Sequence, residues 1–261
     1  MGNTTSTKCA PAREPFASHL NRRVLLVPDA AAPDRHEAAI ANIIGFAADW
    51  RPDEIILMGS HVSCRPCSMQ AWRATGQRPA ILAPWVPPLY DHQRLVSTLH
   101  RLRQAFTGAA RLEGHARLPE TERGLCDQNC DARLQELADL GVTCRPGPGE
   151  ILPGWTAAYT RSWPGLPYPM AAIRLARILG RSIVCAGTAA FGAVTETYGS
   201  GAQRMTRWGI EIGGLRRANR TANGPRPLGF GVVEAVGNRI HAEPVAVKAD
   251  GSFVPPSRVV S

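Results

Sequence analysis

The sequence predicts an α/β fold, because short buried strands alternate with helices that have one apolar face. Residues 24–27 form an apolar run of strand length, and residues 54–58 form a second one. The apolar residues between the two runs recur at helical spacing, and they are Ala39, Ile40, Ile43, Ile44, Ala47 and Trp50. A strand, a helix and a strand in this order make a βαβ unit, in which functional residues gather where the strands end. The unit therefore points to Asp29 and to residues 60–63 as candidate site positions.

The rest of the chain continues the alternation of strands and helices. Further helices are expected at residues 93–106, 132–140 and 171–179. Further strands are expected at residues 109–112, 151–160, 182–186, 229–236 and 239–247. Gly237 and Asn238 predict a two-residue hairpin turn between the last two strands. Residues 64–92 contain five prolines and predict a long irregular segment.

The composition predicts a soluble globular protein with a flexible N-terminal arm. With 261 residues, of which 44% are hydrophobic, the chain is long enough to bury a full core. No apolar run reaches the roughly 18 residues of a membrane-spanning helix, which excludes a membrane span. Residues 1–21 are polar and lack periodicity, so we expect a flexible arm before one domain at residues 22–261.

The cysteines indicate a reducing compartment. There are seven, an odd number, and no apolar secretory segment begins the sequence, which predicts a cytoplasmic location. Two pairs lie close in sequence, Cys64 with Cys67 and Cys126 with Cys130. Zinc sites usually bring their two pairs within about 15 to 20 residues of each other, and these pairs lie farther apart. Buried thiols are therefore the expected form, with a zinc site as the alternative.

The charge favours acidic or phosphorylated partners without identifying one. The formal net charge is +9, and only Lys8 and Lys248 among the 30 basic residues are lysines. The arginines concentrate mildly between Arg204 and Arg226, where a basic face could contact nucleic acid. A solvated basic face is the simpler explanation of this concentration.

Several segments resemble the calcineurin-like metallophosphoesterases, particularly the small bacterial and bacteriophage members. Residues 52–59 read PDEIILMG, His115 is followed at once by ARL, and residues 152–155 read LPGW. The resemblance covers roughly residues 22–256. It implies a four-layer α-β-β-α sandwich and a two-metal site for phosphoester hydrolysis at the strand ends.

The resemblance also implies where the metal ligands would lie, and this sequence has lost most of them. The former metal-site positions are Asp29, Ala31, Ser60, Gly114, Tyr159, Thr188 and Ala190. Only Asp29 keeps a ligating group, and one carboxylate cannot hold two divalent cations. A bridging acid at position 60 would offset the repulsion between the cations, and Ser60 cannot. His115 matches the histidine that acts in the family on the leaving group, and here it is expected to be a vestigial general acid.

Three hypotheses follow for the function. The first is a catalytically degenerate metallophosphoesterase-like protein that holds no metal and acts by binding a protein partner, an assembly or a phosphate-containing ligand. The second is an active, divergent phosphoesterase in which Asp29, His61 and His115, with Asp34 nearby, hold one manganese, iron or zinc ion. The third is a nucleic-acid-binding module that uses the arginines at residues 204–226. The expected location is the cytoplasm, or the virion if a phage encodes the protein.

Overall fold

The helices of the protein cover one face of each of two β-sheets. The computed structural model describes residues 20–28, 35–59, 88–113, 135–145, 148–159, 170–188, 190–201, 204–216, 220–221, 224–225 and 227–256. The helices in this part are α1 (Glu37–Trp50), α2 (Pro88–Ala105) and α3 (Met170–Leu179), and residues 135–139 form a further helical segment.

The strands fall into two main sheets and one small ribbon. The first eight strands are β1 (Leu20–Val27), β2 (Glu54–Met58), β3 (Ala109–Glu113), β4 (Val142–Arg145), β5 (Gly149–Leu152), β6 (Trp155–Tyr159), β7 (Ser182–Ala186) and β8 (Phe191–Tyr198). The others are β9 (Met205–Ile212), β10 (Arg220–Thr221), β11 (Gly224–Pro225), β12 (Leu228–Gly237) and β13 (Arg239–Val247). The first sheet has the order β13-β12-β1-β2-β3-β4, the second has the order β5-β6-β7-β9-β8, and β10 pairs with β11.

The two sheets pack face to face through an apolar inner layer. The first sheet contributes Val24, Leu26, Ile56, Met58, Val233 and Ala235 to this layer, and the second contributes Ile151, Leu152, Trp155, Ala157, Val184, Ala186, Ile210 and Ile212. On the outer face of the first sheet, α1 and α2 bury residues such as Ile43 and Leu99 against Leu25 and Leu57. On the outer face of the second sheet, Ala172 and Ile173 of α3 pack against Ile183. The predicted α/β class and the four-layer α-β-β-α order are therefore confirmed.

Several local predictions are confirmed by their burial and turn geometry. The apolar stripe of α1 is buried at each of its six expected positions. The strand expected at residues 182–186 has those bounds, and β12 pairs with β13 so that Val236 faces Arg239 across the turn Gly237-Asn238. Gly237 has φ 58°, the left-handed conformation that such a turn requires.

Other predictions are corrected by the structure. The single strand expected at residues 151–160 is a hairpin, because Gly154 turns the chain with φ 78° and Leu152 pairs with Trp155. Helix α2 begins at Pro88, earlier than expected, because proline is well tolerated in the first turn of a helix. Strand β1 begins at Leu20, so residues 20 and 21 belong to the sheet and not to an arm. The rest of the expected arm lies outside the described residues, and the single-domain division stays a prediction.

Helix α1 begins at a histidine cap that joins it to the end of β13. His36 Nδ1 accepts the N–H of Ala39 at 3.2 Å, and its Nε2 donates to the carbonyl of Ala249 at 2.9 Å. Asn42 Nδ2 donates to the carbonyl of Gly251 at 2.9 Å, one turn further along the helix. These contacts join the N-terminal part of α1 to the segment that follows β13.

Helix α3 lies unusually close to the second sheet at one glycine. A Cβ at Gly209 of β9 would overlap the backbone nitrogen of Ile173 and would lie 2.7 Å from the carbonyl carbon of Ala172. The obstructing atoms belong to the helix backbone, so a larger residue could fit only if the helix moved away. Glycine at position 209 therefore sets the distance between α3 and β9.

We expect Gly209→Ala to destabilise the protein by about 1–3 kcal/mol, because the added methyl group must push α3 from the sheet. Gly45→Ala is a suitable control, since a Cβ at this helical glycine has no atom within 4 Å. This control should raise stability by about 0.5–1 kcal/mol through helix propensity. Urea unfolding measures the free energy of unfolding of both variants. If the two variants are equally stable, the close approach of α3 to β9 does not restrict the residue at position 209.

Candidate functional site

The carboxyl ends of the central strands of both sheets meet at one edge of the sandwich. In the first sheet β1, β2 and β3 are parallel, and Met58 at the end of β2 pairs with Glu113 at the end of β3. In the second sheet β6, β7 and β9 are parallel, and Tyr159 pairs with Ala186. This edge is where the resemblance places the metal site.

Tyr159 joins the two sheets at this edge by packing on Gly59. A Cβ at Gly59 would overlap the Tyr159 ring and would lie 2.7 Å from its Cδ2 atom. Gly59 is buried and has φ 105°, a conformation that residues with a side chain rarely adopt. The ring therefore covers the backbone immediately before position 60. The sequence assigns Tyr159 to the former metal site, and the structure places its ring against the end of β2.

Thr188 follows β7 and forms a buried hydrogen-bonded cluster with a residue of β9. Its Oγ1 donates to Glu211 Oε2 at 2.9 Å, and the second oxygen of Glu211, Oε1, accepts the N–H of Ala172 at 3.0 Å. Thr188 is 3% exposed and Glu211 is fully buried. Ala172 lies in the first turn of α3, where backbone N–H groups lack partners inside the helix and the helix dipole favours a carboxylate. Each carboxyl oxygen of Glu211 therefore has a donor.

Ala190 closes the same cluster from the loop between β7 and β8. Its N–H approaches Thr188 Oγ1 at 3.4 Å, and its carbonyl accepts the N–H of Gly213 at 2.8 Å. The methyl group of Ala190 is buried at 2% exposure. The two positions at which the resemblance expects a G-H-x-H motif thus hold a hydroxyl bound to Glu211 and a methyl group inside the core.

The remaining predicted site residues lie outside the described residues. These are Asp29, Ala31, Asp34, Ser60, His61, Gly114 and His115, and the pairs Cys64 with Cys67 and Cys126 with Cys130 lie outside as well. Their roles in a former or rebuilt metal site stay predictions. Within the described ranges, no group of three or more histidine, cysteine, aspartate or glutamate side chains could hold a metal ion.

Glu211 is the site residue that sequence reasoning missed. It lies in the segment WGIEIGG at residues 208–214, where one acid interrupts an apolar strand. A lone acid between Ile210 and Ile212 is the signal that could have identified it, because a carboxyl group inside a sheet needs buried donors. The donors themselves are distant in sequence and could not be read from the local pattern.

The arginines between residues 204 and 226 do not form a single described cluster. Arg204 is exposed, Arg207 packs over the ring of Tyr198, and Arg216 forms a backbone bridge with Arg35. The side chain of Arg220 and the whole of Arg217 and Arg226 lie outside the described residues. The described arginines of this region therefore give no specific support to the nucleic-acid hypothesis.

The fold and this edge define a class: a four-layer α-β-β-α protein in which the carboxyl ends of parallel strands from both sheets meet at one edge. Gene 54 protein of Mycobacterium phage D29 is 23% identical in an alignment of 246 residues. The alignment covers 87% of this chain and 94% of the phage protein. Vps29 of Chaetomium thermophilum has a TM-score of 0.43 and 9% identity, covering 89% of this chain and 95% of that one. TT1561 of Thermus thermophilus has a TM-score of 0.36 and 12% identity, covering 86% of this chain and 99% of that one.

No protein-family model matches the sequence. Across the described helices, none is long and apolar enough to cross a membrane.

We expect Thr188→Val to destabilise the protein by about 1–3 kcal/mol, because Glu211 loses a donor that water cannot replace inside the core. Thr156→Val is the matched control, because Thr156 is also a buried threonine of the second sheet, whereas the donors to Glu211 are Thr188 and Ala172. Chemical denaturation of both variants measures the effect. If Thr188→Val is as stable as Thr156→Val, the hydrogen bond to Glu211 contributes nothing.

Proposed function

We propose that this protein is a catalytically degenerate metallophosphoesterase-like protein that acts by binding and not by hydrolysis. The observation that carries the proposal is the hydrogen bond from Thr188 to the buried Glu211. The resemblance implies an imidazole ligand at position 188. The residue there is Thr188, and its hydroxyl donates a hydrogen bond to a carboxyl group in the core.

The neighbouring positions support the same conclusion. The methyl group of Ala190 has no lone pair to offer a cation, and it is buried. The Tyr159 ring packs on Gly59, and a neutral phenol is a poor substitute for imidazole. Two-metal catalysis requires several oxygen or imidazole ligands around cations that lie about 3.5–4 Å apart. Three of the implied ligand positions therefore contribute packing and hydrogen bonds in place of ligands.

The proposed class of partner rests on two features, the replaced metal ligands and the positive net charge of the chain. A fold that keeps its sheets and helices while its metal ligands are replaced retains surfaces for recognition. We propose a protein partner or an assembly as the ligand, with a phosphate-containing ligand as the alternative. The net charge of +9 favours acidic partners of either kind. Because the chain is similar to a mycobacteriophage protein, we propose a phage assembly as the first candidate partner.

The test is a hydrolysis assay on the full chain loaded with manganese. Protein purified without chelators is incubated with Mn²⁺ and bis-p-nitrophenyl phosphate, and its metal content is measured by elemental analysis. We expect no turnover above the buffer rate and a metal content well below one ion per chain. Turnover that is proportional to the enzyme concentration and disappears with EDTA would overturn the proposal.

One variant separates the proposal from the single-metal alternative. If one metal bound by Asp29, His61 and His115 supports catalysis, then Asp29→Ala should remove both the metal and the turnover. The control Asp49→Ala removes an exposed carboxylate from α1. Under our proposal, Asp29→Ala and Asp49→Ala give the same background rate and the same metal content as the unmodified chain.

A further inference from the structure

Strand β8 forms an edge of the second sheet and carries one charged residue, Glu196. It has eight residues, lies at the end of the order β5-β6-β7-β9-β8, and pairs with β9 in an uninterrupted register from Phe191 to Tyr198. Edge strands usually carry a proline, a lysine or a bulge that prevents another strand from joining. The sequence FGAVTETY has neither proline nor a basic residue, and the ladder with β9 has no bulge.

The hydrogen-bond pattern identifies the backbone groups that point away from β9. Gly213 N–H donates to the carbonyl of Ala190, so this facing pair is hydrogen-bonded. Residues on an antiparallel strand alternate between inward and outward backbone groups. The N–H and C=O groups of Ala193, Thr195 and Thr197 therefore point outward, and the side chains of these three residues are exposed. In the described part of the chain no strand pairs with them.

The face of this edge that lies beside α3 has an excess of positive charge. Arg177 of α3 donates to Glu196 Oε2 at 2.7 Å, and this hydrogen bond lowers the pKa of the Glu196 carboxyl. Arg207 faces Glu196 across the ladder, and its guanidinium carbon lies 3.9 Å from the centroid of the Tyr198 ring. Arg207 Nε is buried without a hydrogen-bond partner among the described residues. Two guanidinium groups therefore lie near one carboxylate, and Arg177 is the one that is hydrogen-bonded to it.

Strands β8 and β9 form an antiparallel hairpin, and two large apolar side chains of β9 lie exposed in its half nearest the turn. Met205 faces Tyr198 and is 43% exposed, and Trp208 faces Thr195 and is 37% exposed. Tryptophan, tyrosine, methionine and arginine are enriched in the centres of protein interfaces. The β8–β9 hairpin thus combines backbone groups that have no strand partner among the described residues with cationic side chains and exposed apolar surface.

We propose that β8 is a docking edge at which an extended, acidic segment of a partner protein adds as a further strand of the second sheet. The backbone groups of Ala193, Thr195 and Thr197 would pair with the segment, as in other cases of strand addition. Acidic side chains on its α3-facing side would meet Arg207. A second copy of the chain is disfavoured as the occupant because each copy carries a net charge of +9. The inference deepens the proposed function, since it names the class of partner and the place of contact.

The test uses a fluorescein-labelled peptide of alternating glutamate and valine with the length of β8. Thr195→Pro removes one outward N–H while leaving the ladder with β9, and Thr195→Val changes the same side chain but keeps the N–H. Arg207→Ala removes the cation beside the edge, and Arg101→Ala removes an exposed cation from α2. Circular dichroism and thermal unfolding verify that each variant folds. Fluorescence anisotropy measures affinity, and hydrogen exchange measures amide protection in residues 191–198.

We expect the full chain to bind the peptide more weakly as salt increases, and β8 amides to gain protection. Thr195→Pro and Arg207→Ala should each weaken binding about tenfold, whereas Thr195→Val and Arg101→Ala should bind like the unmodified chain. Equal binding of a lysine–valine peptide, or undiminished binding by folded Thr195→Pro, would overturn the proposal. So would a dimer of the chain that Thr195→Pro abolishes, or full displacement of the peptide by single-stranded DNA. Phosphodiester turnover with peptide binding intact would overturn only the loss of catalysis.

Discussion

The contact between the inner faces of the two sheets determines where the other features of the protein lie. Residues such as Leu26 and Ile56 of the first sheet share one buried layer with Val184 and Ile210 of the second. The parallel strands of both sheets end at the same edge, so side chains far apart in sequence meet there. Tyr159 reaches Gly59 across this edge only because the sheets are stacked. The candidate site is therefore a consequence of sheet packing more than of any local motif.

At this edge, the buried Glu211 shows how a carboxyl group is accommodated between the second sheet and α3. A buried carboxyl group is costly unless donors satisfy it, and here the N-terminus of α3 and the Thr188 hydroxyl supply one donor to each oxygen. The close approach at Gly209 allows this, because the helix must lie near β9 for Ala172 N–H to reach the carboxyl. Packing and hydrogen bonding at this position therefore depend on each other.

The sequence predicted the features that depend on local periodicity and failed where distant residues meet. The stripe of α1 and the turn at Gly237 follow from spacing and turn chemistry, and both are confirmed. The hairpin around Gly154 was missed because the apolar residues on either side of it read as one run. The partner of Thr188 could not be predicted, since Glu211 lies 23 residues away on another strand. The identities of Tyr159, Thr188 and Ala190 were visible in the sequence, but the contacts that these side chains make were not.

The two ends of the β8–β9 pair differ in how their hydrogen-bonding groups are used. At one end, the Thr188 hydroxyl donates to the buried Glu211, whose other carboxyl oxygen accepts the N–H of Ala172. At the other end, the outward backbone groups of Thr195 and Thr197 have no strand partner in the described chain. Backbone groups do not depend on side-chain identity, so substitutions that remove metal ligands leave them intact. A surface of this kind can therefore serve recognition whatever side chains lie at the edge where the strands end.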